Sequence, residues 1–343
     1  MTQGLCVSNA VKNPIRGRFQ IPDVPLPEAL ALVEARLAER LQSREPLLRE
    51  IAAYLIGSGG KRVRPTVTLL VYRACARSAQ GHEPARELRD IIDVAAALEL
   101  IHSATLLHDD IIDGSGVRRG RDSAFRKYGL ASTLVTGDFV FSRAFQLCAR
   151  FEEKLINWAA EACISLTEGE TMQSRFRHNP AVTLADYLEI ISRKTACIFQ
   201  QGARTAAYLA AAPDTVVEAM ASCGFNVGMT FQIIDDLLDV EGTEARLGKP
   251  VGLDLRDGNP SLPIVLTIGQ DPEVARVFKK PEPTAADIDS ALMRIRRSGV
   301  LSEVRALAAQ YGMRARQSLD VLAASPDKEH LELLIDQLLD RAD

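Results

Sequence analysis

From Pro27 onward apolar residues recur every three to four positions, and Pro27-Glu28-Ala29-Leu30-Ala31-Leu32-Val33-Glu34 opens an Ala/Leu/Glu/Arg-rich pattern of helical period. The spacing predicts helices over 27–42, 45–57, 64–79, 85–112, 121–129, 131–151, 153–175, 183–211, 213–241, 260–269, 284–297, 299–323 and 327–341. Strand signals are weak, because β-branched residues sit inside Ala/Leu-rich stretches and no regular strand–turn spacing emerges. The breaks fall at Gly57-Ser58-Gly59-Gly60, Gly114-Ser115-Gly116, His178-Asn179-Pro180 and the stretch from Gly248 to Pro263. Short connections between long helices favour a packed all-α bundle. No repeat of fixed period is visible. The expected organisation is a flexible N-terminal tail over 1–26 and one helical domain over 27–343.

Two helices break their own apolar pattern in the same way. Leu106-Leu107-His108-Asp109-Asp110-Ile111-Ile112-Asp113 puts Asp109 and Asp113 one turn apart on one face, and Phe231-Gln232-Ile233-Ile234-Asp235-Asp236-Leu237-Leu238-Asp239 repeats the DDxxD spacing. Two carboxylates about 4 Å apart repel by roughly 4 kcal/mol at an effective dielectric near 20, so a cation must offset them. Taken singly, an acidic i,i+4 pair reads as a solvated helix face. Two copies flanked by Ile and Leu do not. Clustered carboxylates without thiols or suitably spaced histidines suit a hard cation, and Mg²⁺ completes its octahedron with water and substrate phosphate. The pattern points to a diphosphate substrate.

Charge enters next. A net charge of −4, from 41 basic and 45 acidic residues, gives no bulk attraction to nucleic acid, and the basic runs lack interleaved aromatics. Anion binding must be local. Gly57-Ser58-Gly59-Gly60-Lys61-Arg62-Val63-Arg64 joins a glycine turn to three cations, and Arg118-Arg119-Gly120-Arg121 follows the first aspartate cluster. Lys194-Thr195 and Lys249 add further candidates. Each alone reads as a solvated cation; beside two metal clusters they describe a site for two diphosphates. The hydrophobic content of 47% allows a large core, and six dispersed cysteines form no CxxC pair, which fits reduced cytoplasmic thiols. The first twenty-five residues lack the apolar run of a secretory signal.

At this point the chain resembles the trans-type isoprenyl diphosphate synthases, the polyprenyl synthetase family, from about Ala29 onward. The resemblance is carried by the ordered blocks GGKRVRP, ELIHSATLLHDDIIDGSGVRRG, GDFVFSRAF, SRKTA, FQIIDDLLD and GKPVGLDL. It implies an all-α isoprenoid-synthase bundle whose two aspartate motifs face each other across a deep central cavity, usually in a homodimer. It also implies that Asp109, Asp113, Asp235 and Asp239 hold Mg²⁺ on an allylic diphosphate contacted by Arg118, Lys194 and Lys249. Thr195 and Gln232 would lie near the reacting carbon, and Lys61, Arg64, His102 and Arg119 would hold isopentenyl diphosphate. The implied reaction ionises the allylic diphosphate and adds the isopentenyl double bond to the resulting cation.

In this family a bulky aromatic four or five residues before the first aspartate closes the cavity early; here those positions are Thr105 and Ala104. Small side chains favour a product of about six or more isoprene units, C30 or longer, by a steric argument. So greasy a product implies transient membrane contact on release. Two departures stand out. Many relatives continue with Gly-Lys where this chain reads Gly258-Asn259, and the usual Pro-Thr after the arginine block is Asp122-Ser123. The competing readings are a shorter-chain farnesyl or geranylgeranyl synthase, a terpene cyclase, a head-to-head synthase and a non-catalytic partner subunit. The second DDxxD, in place of an Asn/Asp-Ser/Thr-Glu pattern, argues against the cyclase, the spacing against the head-to-head synthase, and the two intact motifs against the partner subunit.

Overall fold

The computed structural model describes residues 24–57, 59–78, 88–114, 116–118, 120–242 and 251–341. Most of the tail expected over 1–26, and the candidate residues Arg119 and Lys249, lie outside the described residues. The order is α1 (Leu26–Arg40), α2 (Pro46–Ile56), α3 (Val63–Ser78), α4 (Leu88–Ile112), a hairpin of β1 (Val117–Arg118) and β2 (Arg121–Asp122), α5 (Ala124–Tyr128), α6 (Leu130–Cys148) and α7 (Glu153–Phe176). There follow α8 (Leu184–Ile191), a π-helical turn (Ser192–Ala196), α9 (Cys197–Leu209), α10 (Asp214–Glu241), α11 (Leu253–Asp257), α12 (Leu262–Ile268), α13 (Pro272–Phe278), α14 (Ala285–Arg297), α15 (Val300–Ser318) and α16 (Pro326–Asp340).

The helical expectation holds, with three differences. The segment expected as helix from 121 starts with β2, and α5 begins only after Ser123, whose hydroxyl accepts the Arg126 N–H. α11 and α13 were not expected; each is too short to show a period. The helix expected over 183–211 is continuous but widens by one π turn.

Starts are set by side chains. Thr183 and Thr284 each form a capping box with the aspartate three residues on, satisfying N–H groups that a helix leaves unpaired. α4 and α10 are buried along most of their length, since their apolar residues surround the axis. One core packs α1 to α4 against α6, α7, α9 and α16, with Leu37, Ile51, Leu70, Leu100 and Leu107 fully enclosed. A second packs α8 against α12 to α15. α10 belongs to both, through Val217 to Val227 in the first and Ile233 to Val240 in the second. Each enclosed Leu or Ile contributes roughly 1.5–3 kcal/mol of transfer free energy. α4 is long and apolar enough to cross a membrane by composition, and most of it is buried inside the bundle.

Candidate active site

The last turn of α4 carries the first aspartate motif, and its members divide by direction. Asp109 and Asp113 sit half-buried on one face, while Asp110 is fully enclosed and bound by the Arg118 guanidinium. On α10 the division repeats. Asp235 is half-buried, whereas Asp236 is enclosed and accepts from Tyr187 Oη at 2.7 Å, Gln232 Nε2 at 2.8 Å and the Leu262 N–H at 3.0 Å. In both motifs the second aspartate anchors the helix, and the first is left to the site. Asp239 departs from that pattern: it is buried, and its oxygens accept the N–H groups of Leu253 at 3.3 Å and Asp254 at 3.1 Å, at the start of α11.

The π turn supplies the opposing groups. Gly169 on α7 and Gly228 on α10 let two helix backbones close on it: a Cβ at Gly169 would lie 2.6 Å from Lys194 N, and one at Gly228 2.6 Å from Ala196 Cα. Pressed between them, Lys194 Nζ pairs with Glu170 and lies 4.0 Å from Asp109 Oδ2. Thr195 Oγ1 donates to Gln232 Oε1 at 2.9 Å, and Gln232 passes the link to Asp236. A hydrogen-bonded chain therefore runs from the π turn to the second motif.

The electrostatics follow from burial. Burial pushes the Asp109 carboxyl up to about 7, Glu170 and Asp113 add to the shift, and Lys194 and Arg118 oppose it. Asp113 is raised by the same cause, against the pull of Arg177 and Lys194. Asp236 is pushed up to about 7 by burial despite its three donors. Burial works against the Lys194 ammonium, yet Asp109 and Glu170 hold its pKa above the ordinary value. Desolvation and the nearby charge of Arg341 lower Lys61, with Asp235 opposing. Asp235 and Lys61 thus feel each other across the site.

Of the three cations after the glycine turn, Arg62 is structural: it pairs with Glu34 and, at 2.8 Å, with the buried Glu99. Arg64 lies over the rings of Phe199 and Phe231, at 5.1 and 5.8 Å from their centroids. His102 is half-buried two turns before Asp109 on the same face of α4, and Lys61 is exposed. Below the aspartates, Thr105 is half-buried with its hydroxyl bound to the His102 carbonyl, and Ala104 is enclosed.

Three contributors were absent from the sequence reading. Glu170, Gln173 and Arg177 lie along one face of α7 and at its end, a polar i, i+3, i+7 stripe that was the available signal. Arg177 bonds to Asp113, and Arg177 Nε and Gln173 Nε2 both donate to Asn259 Oδ1 at 3.1 Å.

Among the described residues no three acidic, thiol or imidazole groups converge into a ready-made metal cage. Yet Glu170 Oε1, beside Asp109 and Asp113, is buried without a hydrogen-bond partner, and the donors are all hard oxygens. That suits Mg²⁺, which takes one or two carboxylates and fills its remaining positions with water and substrate phosphate.

Known proteins resemble this chain over most of its length. The polyprenyl synthetase family model matches residues 45–295. The chain is 35% identical over 299 residues to heptaprenyl diphosphate synthase component 2 of Geobacillus stearothermophilus, covering 87% of this chain and 91% of that protein. It is 32% identical over 316 residues to geranylgeranyl diphosphate synthase of Methanosarcina mazei, covering 90% and 94%. The polyprenyl synthase of Caulobacter crescentus CB15, solved with calcium and isoprenyl diphosphate, superposes with a TM-score of 0.85 at 35% identity over 92% of this chain and 96% of that one. With both aspartate motifs and the Lys194-Thr195 turn drawn to one place, the chain belongs to the polyprenyl synthetase family and is a chain-elongating prenyltransferase.

Proposed function

We propose that this enzyme joins isopentenyl diphosphate head to tail to an allylic diphosphate with Mg²⁺, giving a linear all-trans product of C30 or longer. The observation that carries the reading is the meeting of Asp109 and Asp113 with Lys194 on the π turn, beside the Thr195–Gln232–Asp236 chain. Asp109, Asp113 and Asp235 would hold Mg²⁺, and Asp239 would share in this while fixing the start of α11. Bound there, Mg²⁺ would neutralise charge on the departing diphosphate.

The protein's own groups do the rest. Lys194, Arg118 and Lys249 bind the allylic diphosphate, and Lys61, Arg64, His102 and Arg119 hold isopentenyl diphosphate. Thr195 and Gln232, fixed by Asp236, present oxygen atoms close to the allylic cation. No protein nucleophile is needed, and exclusion of water from the site would protect the cation. The relatives named above make products of different lengths, so length rests on the steric argument: half-buried Thr105 is the side chain beneath Asp109, and it is small. Exposed Leu130, Leu134 and Val135 on α6 and Ile164 on α7 support a homodimer. Release of so apolar a product would involve transient membrane contact.

The test is incubation of the purified chain alone with labelled isopentenyl diphosphate, Mg²⁺ and a series of allylic primers, followed by sizing of the products. A ladder reaching C30, with Asp109→Ala lowering turnover about 10²–10³-fold and Thr105→Phe shortening the products, is the expected result. Products ending at C20 in the wild type would sink the length assignment alone. The relative named as component 2 favours a second reading, in which this chain works with a partner. Inactivity of the chain by itself would select that reading.

A further inference from the structure

We infer that Arg177 is a binding cation for the diphosphate of the allylic substrate, with Asn259 as its positioning residue; this rests on the site reading above. Arg177 ends α7, and its side chain is 19% exposed. Its three nitrogens reach two segments, the loop at Asn259 and the end of α4: Nε donates to Asn259 Oδ1 at 3.1 Å, Nη1 to the Ile112 carbonyl at 3.2 Å, and Nη2 to Asp113 Oδ1. Only the last is ionic. Its partner belongs to the motif that would take Mg²⁺, and a carboxylate drawn onto a metal gives up much of its hold on a guanidinium.

The two neutral anchors do not depend on that carboxylate. Asn259 is itself fixed: its oxygen also accepts from Gln173 Nε2 at 3.1 Å, and its N–H donates to the Asp254 carbonyl at 2.8 Å. The neighbouring backbones are stapled as well, with His178 N donating to the Gly258 carbonyl at 3.0 Å. A planar guanidinium restrained at Nε and Nη1 is preorganised, and guanidinium suits phosphate oxygens. Asn259 also stands where many relatives carry lysine, so the positive charge missing at 259 is supplied from 177, at the same spot. The same network explains why Asn is tolerated there: its neutral amide oxygen accepts two donors, which an ammonium cannot do.

The experiment is calorimetric titration of inorganic pyrophosphate, with Mg²⁺, into wild type, R177A, R177M and R177A/N259K, with melting temperatures and KM for both substrates measured alongside. The expected result is pyrophosphate binding weakened about 10–100-fold in R177A and R177M. The allylic KM should rise while the isopentenyl KM stays within about twofold, and R177A/N259K should recover most of the loss. Folded R177A or R177M binding pyrophosphate as tightly as wild type would overturn the assignment. So would a rise confined to the isopentenyl KM, or a double variant no better than R177A. Wild-type protein that binds no pyrophosphate would instead bring down the site reading, and this inference with it.

Discussion

The carboxyl of Asp109 resists ionisation because it is buried beside Glu170 and Asp113. A carboxyl raised from an ordinary value near 3.8 to about 7 favours the folded state when protonated, so its stabilisation is complete below about pH 4 and fades as pH rises through about 7. In chelator, the thermal midpoint is therefore expected to fall between pH 4 and 7, and Asp109→Asn should make that fall shallower. An unchanged slope in the variant would contradict the burial argument. The four aspartates could be read directly because their spacing is local: like charges one turn apart in an apolar helix show in eight consecutive letters. Arg177 could not be read that way. Its partners Asp113 and Asn259 lie 64 and 82 residues away, and nothing beside it in the chain marks the meeting. Nor did the motif show that its second aspartate is structural, since Asp110 and Asp236 owe their roles to Arg118 and Tyr187, which only the fold delivers.

The π turn between α8 and α9 sets Lys194 and Thr195 by backbone contact, so the helices behind it matter as much as the residues on it. A methyl at Gly169 would press on Lys194 N, and misplacing a group proposed to position substrate by about 1 Å can cost 10²-fold. Gly169→Ala should therefore lower kcat/KM by roughly 100-fold with only a small loss in melting temperature. An unfolded variant would show instead that the close approach is required for stability, and an active one that the turn can yield. Long helices such as α4 and α10 were legible because many apolar positions repeat the same period. α11 and α13 have too few residues for a period to appear. α13 nevertheless carries a start signal, Asp271 capping the N–H groups of Glu273 and Val274 with Pro272 at the first position. The β1–β2 hairpin pairs only two residues on each strand, below what alternation can reveal.

Whole-molecule stability leans on a few enclosed charges as well as on the two cores. Asp327, at the start of α16, is 1% exposed and takes Arg73 Nε and Arg77 Nε from α3, each at 2.8 Å. Removing one partner of a buried pair costs about 3–5 kcal/mol because the other charge stays behind. Asp327→Ala should lower the melting temperature by several degrees, and a shift under one degree would show that water reaches the two arginines. The all-α class was legible from periodicity, and the common location of both aspartate motifs only as what the family resemblance implies. This clamp was not, because its two halves lie 250 residues apart.

That separation bears on how the molecule is made. α3 begins beside Lys61 and Arg64 and ends in the two arginines that wait for Asp327. During synthesis the chain emerges over tens of seconds at about 5–20 residues per second, so the helix bearing these basic groups exists long before its counter-charge leaves the ribosome. Until then Arg73 and Arg77 lack Asp327, and α3 has no α16 against it. α3, with Arg64 in its first turn, is thus packed against α16 only after residues 326–340 have been made.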